Sequence, residues 1–338
     1  MARVFSGIQP SGELHIGNYL GAVQNWVRLQ HQHDCLFSVV DLHAITQPYE
    51  PAALAQRTLD MAISLYAVGL DPERCIVFVQ SQVPEHTELN WLLTTVTPLG
   101  ELERQTQFKD KSQRQESVPA GLLNYPVLQA ADVLLYEATL VPVGEDQLQH
   151  LELMREIARR WNSRFANGRA AERGEGFGFP EPQALLSTAK RVLGLDGQAK
   201  MSKSLGNTIG LFETPETIWE KLKPAATDPA RVTRRDPGNP DICNIFTIHQ
   251  GFSPPETQAL VARNCRTAGW GCLDCKRVLA DNMIAALTPV RERAQELRSQ
   301  PRRVGETLRA GAAKARAIAR RTMERVRRRM GLLEGARV

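Results

Sequence analysis

The stretch from Phe5 to Gly21, F-S-G-I-Q-P-S-G-E-L-H-I-G-N-Y-L-G, sets His15 and Asn18 directly after a cluster of Gly, Pro and Ser. Imidazole and carboxamide both donate hydrogen bonds to oxygen, and glycine lets the backbone come close to a ligand. The first turn of a helix adds unpaired N–H groups and a partial positive charge, so a nucleotide phosphate suits this stretch. Further along, Lys109 and Lys111 flank Asp110. Beside a nucleotide, such lysines supply mobile positive charge to a leaving phosphate; otherwise the segment from Gly100 to Ser112 is a solvated loop. Asp132 lies inside the apolar run G-L-L-N-Y-P-V-L-Q-A-A-D-V-L-L-Y from Gly121 to Tyr136. A buried carboxylate is too costly to leave unpaired, so it requires a hydrogen-bond partner, for which a substrate is one candidate.

These residues need elements to position them. Val4 and Phe5 read as the end of a strand, the Gly7 to Gly12 cluster breaks it, and Ile16, Leu20, Val23 and Val27 share one helical face. Cys35 to Asp41 reads as a buried strand, Pro51 to Val68 as a helix, and Cys75 to Gln80 as another strand. This alternation predicts an α/β fold with a Rossmann-like parallel sheet wrapped by helices. Asp41 and His43 leave the second strand at its carboxyl end, where open sheets bind ligands, although a structural histidine also fits position 43. Val141-Pro142-Val143 then gives a strand, and Gly144-Glu145-Asp146-Gln147 opens a helix with Leu148, Leu151, Met154, Ala158 and Trp161 on its apolar face. Asp146 is either that helix's cap or a carboxylate for ribose hydroxyls.

The first stretch resembles the His-Ile-Gly-His signature of the class I aminoacyl-tRNA synthetases, with Asn18 in the last position. The second signature of that class is matched by Lys200-Met201-Ser202-Lys203-Ser204. Ser6 to Gly21, Gly100 to Ser112, Gly121 to Tyr136, Val141 to Gln147 and Lys200 to Ser204 together resemble the bacterial tryptophanyl-tRNA synthetases over nearly the whole chain. The sister tyrosyl family would show a Gly-Ser-Asp-Gln-like string at Gly144-Glu145-Asp146-Gln147. The resemblance implies a catalytic domain over residues 1–205 and a helical anticodon-binding domain over 206–338. It implies ATP with Mg2+, L-tryptophan and tRNA(Trp) as substrates and partners, and a homodimer.

Residue by residue, it implies that His15, Asn18, Lys111, Lys200 and Lys203 bind the phosphates. Gln9, Pro10, Ser11, Gly17, Gly144, Glu145, Asp146, Val192, Met201, Ser202 and Ser204 complete the ATP site. Asp132 would accept the indole N–H, with Phe5, His43, Val141 and Val143 around the ring and Tyr125 and Gln147 on the amino group. Gln129, beside that pocket, stands where many bacterial members have methionine. Glycines and Asn207 flank the Lys200 to Ser204 loop, which suits a lid closing on ATP. Two other readings are a small-metabolite nucleotidyltransferase, whose chains generally lack a basic helical appendage of this length, and a synthetase-derived RNA-binding iron–sulfur sensor, against which the intact Lys200 to Ser204 and Asp132 argue.

Composition agrees with a globular protein: 42% of the 338 residues are hydrophobic and 23% charged. No apolar run approaches the roughly 20 residues of a membrane span, and strand pattern begins at once without a signal-peptide pattern, so the cytoplasm is expected. The net charge of +5 is uneven: from Arg291 to Val338 there are 15 Lys/Arg and 5 Asp/Glu, leaving 27 against 32 elsewhere. Such a basic end suits a polyanion, or is a solvated helical face. The last helix is expected to put Ala315, Ile318, Met323, Val326 and Met330 inward and Arg316, Arg320, Arg321, Arg327 and Arg328 largely outward, fit for tRNA phosphates.

Cys243, Cys265, Cys272 and Cys275 cluster in this half. In a cytosolic protein that speaks for metal rather than disulfides, and the irregular spacing is closer to iron–sulfur ligation than to the paired spacing of structural zinc. A subset of bacterial tryptophanyl-tRNA synthetases with a similar motif, its first gap one residue longer, binds a 4Fe-4S cluster; zinc and unliganded thiols are the alternatives. Cys35 and Cys75 read as core.

Overall fold

Five parallel strands form the sheet: β1 (Arg3–Ile8), β2 (Asp34–Val39), β3 (Ile76–Val79), β4 (Leu140–Val143) and β5 (Gln183–Leu186), in the order β3-β2-β1-β4-β5. The computed structural model describes residues 1–112, 117–166, 176–186, 192–202 and 205–333, without the side chains of 110–112 and 145. The expected positions of Lys203 and Ser204, and of the side chains of Lys111 and Glu145, therefore lie outside the described residues.

The order reverses at β1, whose neighbours are β2 and β4, and this switch point opens a crevice beyond the strand ends. β1 and β2 run in register from Arg3 opposite Asp34 to Ile8 opposite Val39, and Val4 stands opposite Leu140 of β4. Strand side chains alternate between two cores, Val4, Phe37 and Val77 in one and Phe5, Leu36 and Phe78 in the other. The expected strand from Cys35 to Asp41 ends earlier, because Asp41 already begins the short helix Asp41–Ala44.

The first helical run carries the expected inward face but contains a π turn: Ile16–Asn18 is α-helical, Tyr19–Val23 forms the π turn, and Gln24–Leu29 resumes the α-helix. The polar segment read as a loop is instead two short helices, Leu99–Glu103 and Thr106–Ser112.

The helices Pro215–Leu222, Asn244–Phe252, Pro255–Arg266 and Cys272–Arg298 follow the sheet, and the last of these packs on Pro51–Ala67. The final helix, Pro301–Met330, returns to the sheet and lies along β3. Val304 and Leu308 join one core, whereas Ala312, Ala315, Ala319, Met323 and Val326 join the other, so the helix crosses the sheet edge between them. A Cβ on Gly311 would lie 2.0 Å from the carbonyl oxygen of Val77, which marks the crossing. Covering β3 in this way removes an exposed edge strand.

The arginines of that helix are partly committed inside the molecule. Arg316 and Arg320 reach the buried Glu85, Arg327 reaches Glu88, and Arg325 reaches Glu137. Its charge therefore serves docking onto the sheet as well as facing solvent. No helix among the described residues is long and apolar enough to cross a membrane.

Candidate active site and cysteine centre

The two short motifs, almost 200 residues apart in sequence, are stitched together by backbone. Ile16 N–H donates to Ile209 O at 2.9 Å, Leu211 N–H donates to Leu14 O at 3.0 Å, and His15 bridges Gly210 in an antiparallel pair. Thus the segment leaving the Lys200 loop runs beside the residues that open the first helix. Met201 is 4% exposed and sits in the core, and its Sδ would be 3.2 Å from a Cβ placed on Gly17. The methionine plugs the loop against the glycine, leaving Lys200 exposed above it.

The N–H groups expected to be free for phosphate at this helix start are already occupied. His15 Nδ1 accepts from Gly17 N–H at 3.1 Å and Asn18 N–H at 3.3 Å, while Asn18 Oδ1 accepts from His15 N–H at 3.4 Å. With Nδ1 accepting, the neutral ring carries its proton on Nε2, and the backbone N–H groups of Gly17 and Asn18 are spent inside the helix start. Before them, Gln9, Pro10 and Ser11 form a turn closed by Ser11 N–H to Gln9 O at 2.8 Å, and Gly12 has a φ of 120°.

The second motif sits on a framed loop. Asn207 Oδ1 accepts from Ser202 N–H at 2.8 Å, and its Nδ2 donates to Asp196 Oδ2 at 2.8 Å. The backbone N–H of Gln198 and the amide of Asn207 hold the Asp196 carboxyl below its usual range. A Cβ on Gly194 would meet Asn207 Nδ2 at 2.0 Å, so this frame needs glycine. Val192, just before it, is buried.

On the other side of β1 lies a buried polar network that the sequence reading found only in part. Asp132 Oδ2 is 2.7 Å from His43 Nε2, and Oδ1 is 2.7 Å from Gln80 Nε2 and 2.6 Å from His86 Nδ1. His86 Nε2 is in turn 2.8 Å from the Tyr136 hydroxyl. Burial alone would push the Asp132 carboxyl up, but His43 and then His86 outweigh it and hold the group at about 2. Gln80, His86 and Tyr136 were not among the expected site residues. The available signal was position, since Gln80 follows β3 directly and His86 opens the next helix, Glu85–Thr94.

Of the expected pocket residues, His43 contacts this carboxylate directly, and two more meet its surroundings through their rings. The Phe5 ring stacks on Tyr136 at 5.5 Å, and His43 meets Tyr125 edge-on at 6.4 Å. Tyr125, Gln129 and Asp132 follow helical spacing on Ala120–Leu134 and share a face. The Tyr125 hydroxyl contacts Gln107 Oε1 at 3.1 Å and His150 Nε2 at 3.0 Å, and burial pushes its pKa up to about 12. Val141 and Val143 come from β4, packed in the same core as Phe5. Beyond β4, a Cβ on Gly144 would meet Asp146 Oδ1 at 2.7 Å, and Gln147 Nε2 donates to Asp146 Oδ2 at 3.1 Å. Asp146 does not cap the helix Leu148–Trp161; Gln147 holds that position, with no side-chain capping bond.

Cys243, Cys265, Cys272 and Cys275 line one small cavity together with Asp228, Arg231 and Trp270. Among the described residues, no three His, Cys, Asp or Glu side chains are grouped to hold a metal ion. The four thiols border a shared space, so sulfur is the donor this cavity would offer. Arg231 Nε, on the same cavity, is buried without a hydrogen-bond partner, as befits a wall facing negative charge. Burial, then the neighbouring cysteines, push the Cys275 thiol up to about 12. Cys35 and Cys75 are buried in the core as expected.

Residues 1–288 match the family described as tRNA synthetases class I (W and Y). The chain is 56% identical to the tryptophan–tRNA ligase of Deinococcus radiodurans, covering 99% of this chain and 100% of that one. It is 47% identical to the tryptophan–tRNA ligase of Parasynechococcus marenigrum, over 97% of each. Its structure superposes with a TM-score of 0.84 on the tryptophanyl-tRNA synthetase of Campylobacter jejuni solved with ADP and tryptophan, at 37% identity, covering 98% of this chain and 100% of that one. A parallel sheet with its crevice at β1, both signatures joined across it, and likeness along the full length lead to one conclusion: the chain belongs to the class I tRNA synthetases of the tryptophan and tyrosine group.

Proposed function

We infer that this chain is a tryptophan–tRNA ligase. It joins L-tryptophan to ATP as tryptophanyl-adenylate, releasing pyrophosphate, and transfers the tryptophanyl group to the 3′ adenosine of tRNA(Trp). The observation that supports the choice of amino acid is the buried Asp132 carboxylate, fixed from three sides by His43, Gln80 and His86. Oδ1 already has two partners, whereas Oδ2 has one and keeps capacity to accept the indole N–H. A buried acceptor of this kind discriminates far better than an apolar pocket.

Attack of the amino-acid carboxylate at the α-phosphorus needs alignment and relief of charge on the leaving pyrophosphate more than acid–base catalysis. His15, Asn18, Lys111, Lys200 and Lys203 are the groups assigned to the phosphates. Mg2+, when bound, shares that negative charge. Gly17 gives room for adenine, Val192 offers its backbone, and Asp146 holds the ribose. Tyr125 and Gln147 hold the tryptophan amino group. The test is ATP–pyrophosphate exchange: tryptophan must support it, and exchange with tyrosine alone would overturn the assignment.

The division at residue 205 leaves the nucleotide and tryptophan groups on one side and the four cysteines on the other, with tRNA(Trp) reading placed among the C-terminal helices. A 4Fe-4S cluster at Cys243, Cys265, Cys272 and Cys275 would brace that region. Support comes from their shared cavity and the unpartnered Arg231 Nε. Iron, sulfide and zinc content of anaerobically purified protein decides between cluster and zinc. A homodimer is supported by Ile45, Tyr49, Val118 and Trp91, apolar side chains between 40% and 68% exposed.

A further inference from the structure

Two residues that directly follow cysteines of the C-terminal centre tie it to the segment before the Lys200 loop, Asn244 directly and Lys276 through the turn at 223–226. Asn244, next to Cys243, is buried, and its side chain makes three hydrogen bonds to the strand-like segment preceding the loop. Its Oδ1 accepts from Leu193 N–H at 3.1 Å, and its Nδ2 donates to Leu193 O at 3.1 Å and Gly194 O at 2.9 Å. Lys276, next to Cys275, is also buried, and its Nζ donates to Lys223 O at 2.8 Å and Ala225 O at 2.6 Å. The following residue, Ala226, donates its N–H to Leu195 O at 2.7 Å. Asn244 therefore holds residues 193 and 194 directly, and Lys276 holds the turn whose Ala226 bonds residue 195.

That segment pairs with both ends of the loop. Leu193 bridges Lys200, Gly194 N–H donates to Ala199 O at 2.7 Å, and Leu195 N–H donates to Asn207 O at 2.9 Å. A buried amide satisfied on both its oxygen and its nitrogen has one orientation at low cost, so it transmits position rather than merely filling space.

We propose that Asn244 is a positioning residue for the ATP loop, and that with Lys276 it makes the cysteine centre and the base of that loop one mechanical unit. This rests on the reading of Lys200 to Ser204 as the loop that closes on ATP. The clamp sets where Lys200 starts its approach to the phosphates and leaves the Asp132 pocket untouched. Its signature is a change in ATP handling without a change in tryptophan binding.

The experiment compares full-length wild type, Asn244→Ala and Asn244→Asp, purified anaerobically with iron and zinc measured on each. Asn244→Asp is close to isosteric and keeps the acceptor for Leu193 N–H, but turns an oxygen toward two carbonyls. It decides the matter should the alanine variant fold poorly. The expected result is a KM for ATP raised about tenfold in pyrophosphate exchange, with the tryptophan Kd by calorimetry within about twofold and the metal content unchanged. Lys276→Met is expected to raise the KM for ATP in the same direction. An unchanged KM for ATP, or a tryptophan Kd that rises in step with it, would overturn the clamp. Absence of tryptophan-dependent exchange in the wild type would instead overturn the function on which the clamp depends.

Discussion

His43 Nε2 stands 2.7 Å from Asp132 Oδ2, and both side chains are closed off from solvent. The pair joins the exit of β2 to the helix Ala120–Leu134, while Gln80 and His86 tie the other carboxylate oxygen to the exit of β3 and the following helix. Asp132→Asn would replace an acceptor with an amide donor facing groups already committed to donate. The expected outcome is a loss of at least about 100-fold in kcat/KM for tryptophan, with the KM for ATP unchanged, read by pyrophosphate exchange.

The same carboxylate sets an acid limit. Its pKa is depressed from 3.8 to about 2, against the pull of burial, by His43 and His86. A depressed carboxyl contributes stability that is present above its unfolded value of 3.8 and lost as pH falls through about 2. The stability difference between wild type and Asp132→Asn, measured by denaturant titration, should therefore stay level above that window and narrow within it. A difference that persists undiminished to the bottom of the window would contradict the assignment.

Tyr136 supports Asp132 at one remove, through His86. When the Tyr136 hydroxyl donates to Nε2, the ring keeps its proton on Nδ1, facing Asp132. Tyr136→Phe removes that preference. Its expected effect is a several-fold rise in the KM for tryptophan and a smaller penalty for an analogue lacking the indole N–H, on the order of one lost neutral hydrogen bond. An equal effect on both amino acids would indicate packing alone.

Gly17 and Met201 bring the two signatures against each other. A methyl on Gly17 would press on Met201 Sδ at 3.2 Å and on the His15 ring at 3.0 Å. Gly17→Ala is expected to raise the KM for ATP about tenfold, since both neighbours must shift, with tryptophan binding unaffected.

Gly311 tests the docking of the last helix. A Cβ there would lie 2.0 Å from a backbone oxygen, which cannot move aside as a side chain can. Gly311→Ala should cost about 3 kcal/mol or more in unfolding free energy, measured by chemical denaturation. A neutral result would mean that the helix does not lie on β3 in solution.

Local features of this chain are legible in one dimension. The β-branched and aromatic runs, the glycine breaks and the helical spacing of Ile16, Leu20 and Val23 mark β1 to β4 and the helices beside them, but not β5 or the helices Leu99–Glu103 and Thr106–Ser112. Two short motifs and the lone Asp132 within an apolar run point to nucleotide and amino-acid recognition. These signals act within a few residues, so they survive without the fold. Tertiary structure decided what depends on distant partners. It set His86, Gln80 and Tyr136 behind Asp132, and it turned His15 Nδ1 inward to cap its own helix. It committed arginines of the final helix to Glu85, Glu88 and Glu137, carboxylates roughly 190 to 240 positions away. It also gathered four cysteines, spread over 33 positions, onto one cavity. Partner choice across such separations is fixed by sheet order and helix packing, where no local periodicity carries the information.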